Sequence, residues 1–202
     1  CGDLVRAYRE ERLSAVACFR AEASAVGRVA KQDLLEFVDA QPIDPEFPDF
    51  VRFCREREIE LTVLSDGLDL YIRRILAVHH LHDLRVVANI ARLVEDGDAV
   101  RLQLEFPRTN AECSRCACCK RNAMLTGAGG EDVTVFVGEG YSDCCPARYA
   151  DIVFARDELQ KFCQRENISY YLYATFGDVQ RRLDVLLQRK RLHRRTAAEH
   201  LR

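Results

Sequence analysis

Val133-Thr134-Val135-Phe136-Val137-Gly138-Glu139-Gly140-Tyr141-Ser142-Asp143 is the stretch whose reading decides the fold. A short β-branched run, apolar enough to be buried on both faces, stops at Gly138 and delivers two acids, Glu139 and Asp143, into a glycine-containing loop. A helix-like segment follows from Cys145. In open α/β sheets, ligands gather outside the carboxyl ends of the strands. Two carboxylates there suit a hard divalent cation such as Mg2+. The bland alternative is a Gly-acid turn that is only a turn.

Working outward, residues 59–64 (Ile-Glu-Leu-Thr-Val-Leu) read as another strand, which ends in Ser65-Asp66-Gly67 before helical spacing over residues 68–78. A serine hydroxyl with backbone N–H groups at a strand-to-helix turn is a ready phosphate cradle. Against it stands the reading of Ser65 as a helix cap. Between the two loops lies Cys113-Ser114-Arg115-Cys116-Ala117-Cys118-Cys119-Lys120, with Lys120 opening a short segment through Leu125. A lysine is a compact point charge that can neutralise a phosphoryl group. A lone lysine is more often a solvated surface residue, so Lys120 takes its meaning from its neighbours.

The series is Ser after a strand, Lys before a helix, then Gly-acid-Gly-x-x-Asp after a strand. It resembles the haloacid dehalogenase superfamily of phosphotransferases, in the order of that superfamily's second, third and fourth motifs. Within it, the phosphoserine-phosphatase-like branch is the nearer likeness, the branch of the methionine-salvage and phosphoethanolamine/phosphocholine phosphatases. Those families carry a Cys-rich segment ending in Cys-Lys, as Cys119-Lys120 does, and an aspartate-to-strand passage like residues 149–156. The likeness covers roughly residues 45–186.

That resemblance implies an α/β fold, a Rossmann-like core with a parallel sheet, a small helical cap and, in this chain, a β-hairpin flap. It implies Mg2+-dependent hydrolysis of a small phosphorylated metabolite through an aspartyl-phosphate. Ser65 and Lys120 would be catalytic-site residues. Ser65, Asp66, Gly67 and Lys120 would bind the phosphate, the backbone N–H of Asp66 or Gly67 assisting, and Glu139 and Asp143 would hold Mg2+.

Two departures qualify it. The superfamily's nucleophile is the first Asp of an Asp-x-Asp-x-Thr/Val motif that ends a strand ahead of the cap. Here the match by letters is Asp96-Gly97-Asp98-Ala99-Val100, which lies after Ser65. An Asp-Gly pair between residues 86–94 and 100–106 predicts a β-hairpin turn instead. The expectation is therefore that the nucleophile strand is absent from this sequence. The other departure is Glu139, where the motif usually has Asp. The extra methylene forces a Mg2+ ion to shift or to bind through water, because Mg2+ demands near-octahedral geometry.

Composition narrows the field. With 202 residues and 48% hydrophobic content, the chain can bury one sizeable core with room for an accessory lobe. A net charge of −2 argues against a nucleic-acid binder driven by bulk charge. No apolar run reaches the roughly 18 residues of a membrane span. The ten cysteines, irregularly spaced in a chain with a metal-type loop, read as reduced thiols in a cytoplasmic protein.

Cys113, Cys116, Cys118 and Cys119 also invite a zinc reading, although the adjacent pair fits one tetrahedral ion poorly. Residues 3–19 and 33–39 predict helices separated by Gly27, giving a helical cap over 1–43. Asp44-Pro45 marks entry to a core over 44–190, with Asp44 as N-cap and Pro45 in the first turn. Residues 49–57, 145–149, 157–166 and 176–190 predict helices, alternating with strands over 133–137, 151–154 and 168–172. Such alternation implies a parallel sheet covered by helices. A basic tail over 191–202 reads as the solvated end of the last helix. Oligomeric state is not legible. Two other functions stay open: a non-catalytic phosphate-ligand binder or regulatory protein, and a zinc-stabilised interaction module.

Overall fold

Helix α1 (Gly2–Arg9) ends where Glu11 takes a φ of 58°. Ser14 then restarts the chain as α2 (Ala15–Val26), its hydroxyl accepting from the Ala17 amide at 3.2 Å. The single helix expected over 3–19 is thus two, because an N-cap serine competes with helix continuation. This is a computed structural model, and it describes residues 2–111, 113, 115–189, 192, 194 and 195. Gly27 caps α2 with φ 65°, and α3 follows (Lys31–Asp39).

The chain divides into two compact units, residues 1–43 with 62–119 and residues 44–61 with 120–202. In the first, β1 (Thr62–Leu68) pairs in parallel with β2 (Arg85–Asp96), which pairs antiparallel with β3 (Ala99–Glu105). Helix α5 (Asp69–Val78) crosses between β1 and β2. The Asp96↔Ala99 register leaves Gly97-Asp98 as the turn, with Gly97 at φ 69°, a conformation that favours glycine. The first strand of the hairpin also pairs in parallel with β1, so the hairpin continues that pair into a mixed sheet. Arg74 clamps α3 to α5 through Asp39, at 2.5 and 2.6 Å.

The second unit carries an all-parallel sheet in the order β4-β5-β6, namely Val135–Gly138, Ile152–Ala155 and Tyr171–Leu172. The residues between β4 and β5 begin as a 3-10 turn (Tyr141–Asp143) and continue as α7 (Cys144–Ala147), a shorter and earlier helix than the 145–149 expected. Helix α8 (Asp157–Arg165) links β5 to β6. The core here includes Val153, Phe154, Leu159, Val179 and Leu183.

Helix α4 begins at Phe47 rather than at Pro45, running to Glu56, and packs on α9 (Phe176–Leu187) with ring centroids 4.7 Å apart for Phe47 and Phe176. Asp44 caps more than its own turn. One carboxylate oxygen accepts from Glu46 N and the other from Phe176 N, each at 2.9 Å. The basic tail expected over 191–202 lies outside the described residues apart from Leu192, Arg194 and Arg195. Among the described residues no helix is long and apolar enough to cross a membrane.

Candidate functional site

Two strand ends carry the candidate residues, one in each unit. In the first unit, Leu64 pairs with Val87 and Leu68 with Asn89, so Ser65, Asp66 and Gly67 bulge out against Ala88. The strand expected to stop at 64 instead runs through this bulge to Leu68. Bulges commonly re-aim side chains next to functional sites. The Ser65 hydroxyl accepts from Gly67 N at 3.0 Å. It does not cap α5, whose N-cap is Leu68 with no side-chain cap bond. Because Ser65 Oγ is an acceptor in that contact, its own hydrogen can be given to an anion.

Asp66 turns its carboxylate to a distant backbone. Its Oδ1 accepts from Ala117 N and Cys118 N, both at 2.7 Å. Its carbonyl accepts from the fully buried Asn89 amide at 2.7 Å. Thus Asp66 pins the Cys-rich segment to the bulge, and Asn89 holds the bulge from below. A β-carbon on Gly67 would stand 1.8 Å from the Tyr71 hydroxyl, so only glycine admits that ring. Burial raises the Tyr71 pKa, and its bond to Leu68 pulls the other way.

In the second unit, α6 (Lys120–Gly127) opens on the buried Lys120. Its Nζ donates to Asp143 Oδ1 at 2.5 Å, with both side chains about nine-tenths buried (9% and 10% exposed). Asp143 Oδ2 accepts from Glu139 N and Gly140 N, each at 2.9 Å. Three donors on one carboxylate hold it in place. Gly138 permits this, since a β-carbon there would lie 2.9 Å from Asp143 Cβ. Asp143 takes one of the three N–H donors of Lys120, and an ammonium can offer the others to a further anion.

Glu139 contributes its backbone to Asp143 but sends its side chain elsewhere. Arg156 Nε donates to Glu139 Oε2 at 2.6 Å, and Nη2 donates to the same oxygen. Arg156 Nη1 donates to Ala174 O at 2.7 Å, and the guanidinium lies 5.0 Å from the Tyr173 ring centroid. Tyr173 Oη donates to Gly138 O at 3.3 Å. Burial pushes the Tyr173 hydroxyl up to about 12, against the opposing pull of Arg156. For Arg156, burial works against the charge, but the bond to Glu139 and the nearby Tyr173 and acids outweigh it.

The geometry brings Lys120 and Asp143 together and gives the two carboxylates expected to share a cation different partners, Lys120 for Asp143 and Arg156 for Glu139. Among the described residues no three His, Cys, Asp or Glu side chains stand together to hold a metal ion. Cys116, Cys118 and Cys119 are buried, and Cys113 is half-buried. Sequence reading missed Asn89, Arg156 and Tyr173. A signal existed for two: an asparagine inside the apolar run Val86-Val87-Ala88-Asn89-Ile90, and an arginine directly after a buried strand.

Comparison with known proteins bears on the same span. A family model described as Putative Phosphatase matches residues 22–171, which hold Ser65, Lys120, Asp143 and Arg156. The chain is 30% identical over 161 residues to a 2-hydroxy-3-keto-5-methylthiopentenyl-1-phosphate phosphatase of Brevibacillus brevis, covering 78% of this chain and 71% of that protein. It is 30% identical over 152 residues to the same-named phosphatase of Exiguobacterium sibiricum, covering 74% and 67%. Among solved structures, cytosolic 5'-nucleotidase IIIB bound to cytidine aligns with a TM-score of 0.44 at 15% identity. That alignment covers 75% of this chain and 54% of the nucleotidase.

Proposed function

The chain belongs to the Putative Phosphatase family, within the haloacid dehalogenase superfamily, and from that membership we propose that it binds and helps hydrolyse the phosphate ester of a small metabolite. The observation that carries this reading is the buried Lys120–Asp143 pair at the carboxyl end of β4. A structural ion pair buried this deeply usually gains nothing over an apolar pair of the same volume. One with unused ammonium donors beside a strand end suits an anionic ligand. The Brevibacillus and Exiguobacterium relatives are named for a small keto phosphate ester, and such an ester is the substrate class proposed here.

In this reading Ser65 donates its hydroxyl hydrogen to a phosphoryl oxygen. The Gly67 amide already serves Ser65, which leaves the Asp66 amide as the backbone donor. Lys120 balances phosphoryl charge, the main requirement in phosphoryl transfer. Asp143 holds Lys120 in place.

Mg2+ is the cation this superfamily implies, and in a complete site it would neutralise the transferring oxygens. The donors of this chain, as they stand, do not fit it. Both Asp143 oxygens are engaged by Lys120 and two amides, and Glu139 is held by Arg156. No step is therefore routed through a metal. Nor is a covalent step assigned to a residue of this chain. The Asp96/Asp98 pair sits at the hairpin turn, where Asp96 pairs with Arg101 at 2.5 Å. That placement favours, as a second reading, a phosphate binder that makes no covalent intermediate by itself.

Calorimetric titration with inorganic phosphate tests the site. Binding is expected for the 202-residue chain and should weaken about tenfold in Ser65→Ala, the loss of one charge-assisted hydrogen bond. Equal affinity in the variant would remove Ser65 from the site. Hydrolysis of p-nitrophenyl phosphate by the same chain should stay at background, and Ser65-dependent turnover would exclude the second reading.

A further inference from the structure

Two neighbouring amides of the β1 bulge each hold a hydroxyl by its oxygen. Gly67 N donates to Ser65 Oγ at 3.0 Å. The backbone bond from Leu68 lowers the Tyr71 pKa, which is what a donor to the phenol oxygen does, because a bond received there favours the phenolate. With its oxygen accepting, each hydroxyl has its hydrogen to give. Tyr71 is the third residue of α5, and long helical side chains lean towards the helix N-terminus. That lean carries its ring back over the bulge.

The two hydroxyls meet over one residue. A β-carbon on Gly67 would stand 1.8 Å from Tyr71 Oη and 3.2 Å from Ser65 Oγ. Among the described residues the glycines of positive φ are Gly27 and Gly97, so the backbone at Gly67 does not itself call for glycine. The space above it does, and that space holds the Tyr71 hydroxyl beside the Ser65 hydroxyl.

We propose that Tyr71 is a second side-chain donor to the anion received by Ser65, giving its phenol hydrogen to an oxygen of the same phosphoryl group. The inference rests on the phosphate reading of the bulge and adds a binding residue to it.

The surroundings suit a donor. Burial raises the Tyr71 pKa, and the Asp66 and Glu22 carboxylates add to the rise against the pull of Leu68, so the phenol keeps its hydrogen at neutral pH. The Asp66 carboxylate is itself spent on Ala117 N and Cys118 N. Fully buried Asn89 donates to Asp66 O at 2.7 Å, which fixes the Asp66–Gly67 peptide whose amide reaches Ser65. Donors fixed in this way need little rearrangement when an anion arrives. A hydrogen bond from a neutral hydroxyl to a charged phosphate oxygen is of the stronger, charge-assisted kind.

Inorganic phosphate, titrated into the 202-residue chain and its variants, tests the proposal by calorimetry and by ultraviolet difference absorbance. Tyr71→Phe keeps the ring and removes one donor. It should weaken phosphate binding about tenfold, as loss of a hydrogen bond to a charged group does. The chain has seven tyrosines and no tryptophan, so a near-ultraviolet change reports on tyrosine. Phosphate should give the unaltered chain a tyrosine difference band, because a phenol that donates to an anion absorbs at longer wavelength. At saturating phosphate the band should be absent from Tyr71→Phe and present in Ser65→Ala, a pattern that a purely structural Tyr71 would not produce. Should Tyr71→Phe fold poorly by circular dichroism, Tyr71→Leu serves instead, with the same loss of the band. Unchanged affinity in the folded Tyr71 variant, a band that survives in it, or no band in the unaltered chain at saturation overturns this inference alone. Equal affinity in Ser65→Ala removes the bulge as a phosphate site and overturns both readings.

Discussion

The strand end after β1 and the strand end after β4 are held together by opposite means. At the first, Ser65–Gly67 form a bulge held by neutral or singly charged contacts: Ser65 on Gly67 N, Asp66 on two distant amides, Asn89 on the Asp66 carbonyl. At the second, a full positive and a full negative charge are taken out of water together as Lys120 and Asp143. The contrast teaches where each region is fragile. A bulge held by backbone bonds degrades by degrees. A buried ion pair fails at once when one partner goes, because the other is left as an uncompensated charge.

The sharpest way to break this comparison is Lys120→Ala. It should destabilise the protein by about 3–5 kcal/mol in urea denaturation, the usual cost of stranding one buried partner. Asp66→Ala, which removes acceptors from Ala117 N and Cys118 N, should cost about 1–3 kcal/mol. Equal losses would mean that Asp143 recovers solvent when Lys120 is gone, and that the second strand end is not closed. The double change Lys120→Met with Asp143→Leu should recover much of the single loss, as apolar replacements of buried pairs often do.

The glycines sharpen the same contrast at smaller amplitude. Gly138→Ala should cost about 1–3 kcal/mol, as overpacking does. Its β-carbon meets Phe136 Cε1 at 2.8 Å and Asp143 Cβ and Cγ at 2.9 Å. Gly67→Ala meets the Tyr71 ring end, Oη at 1.8 Å and Cζ at 2.8 Å, and more loosely Ser65 Oγ at 3.2 Å. Shortening Tyr71 (Tyr71→Leu) should therefore relieve Gly67→Ala. No comparable rescue exists at Gly138, where the obstacle includes the base of the Asp143 side chain. Denaturation midpoints of the two single variants and the Gly67/Tyr71 double variant check this.

The smallest expected effect is alkaline. Tyr173 is pushed up to about 12 by burial, from an ordinary value near 10. A raised folded-state pKa means that the native fold prefers the protonated phenol. Its contribution is complete below pH about 10 and is lost as pH rises towards about 12. Stability should decline across that window, and Tyr173→Phe should flatten the decline. Cys54, raised to about 11 by burial, adds a parallel loss beginning near pH 9 that Tyr173→Phe leaves in place. Phenolate absorbance against pH separates the two.

Local signals were legible wherever the chain answers to its near neighbours. Gly97-Asp98 is a two-residue hairpin turn, Gly27 ends a helix, and the alternation from residue 133 onward gives three parallel strands with intervening helices. Each depends on φ preferences, hydrophobic period or capping within a few residues. The motif order Ser65, Lys120, Gly138–Asp143 was also in the sequence, and the family match spans those residues.

Where side chains point was decided by tertiary structure. Glu139 and Asp143 sit four residues apart and looked like partners, yet one binds Arg156 from the next strand and the other Lys120 from an earlier helix. Asp66, read as a backbone donor, spends its carboxylate on amides more than fifty residues away. The hairpin's first strand took β1, from outside the hairpin, as a parallel partner, a pairing that no local rule supplies. A carboxylate accepts from whichever donor the fold delivers, and burial makes that choice costly to leave unmade. Sequence determines which groups must find partners, and the packed chain determines which partners they find.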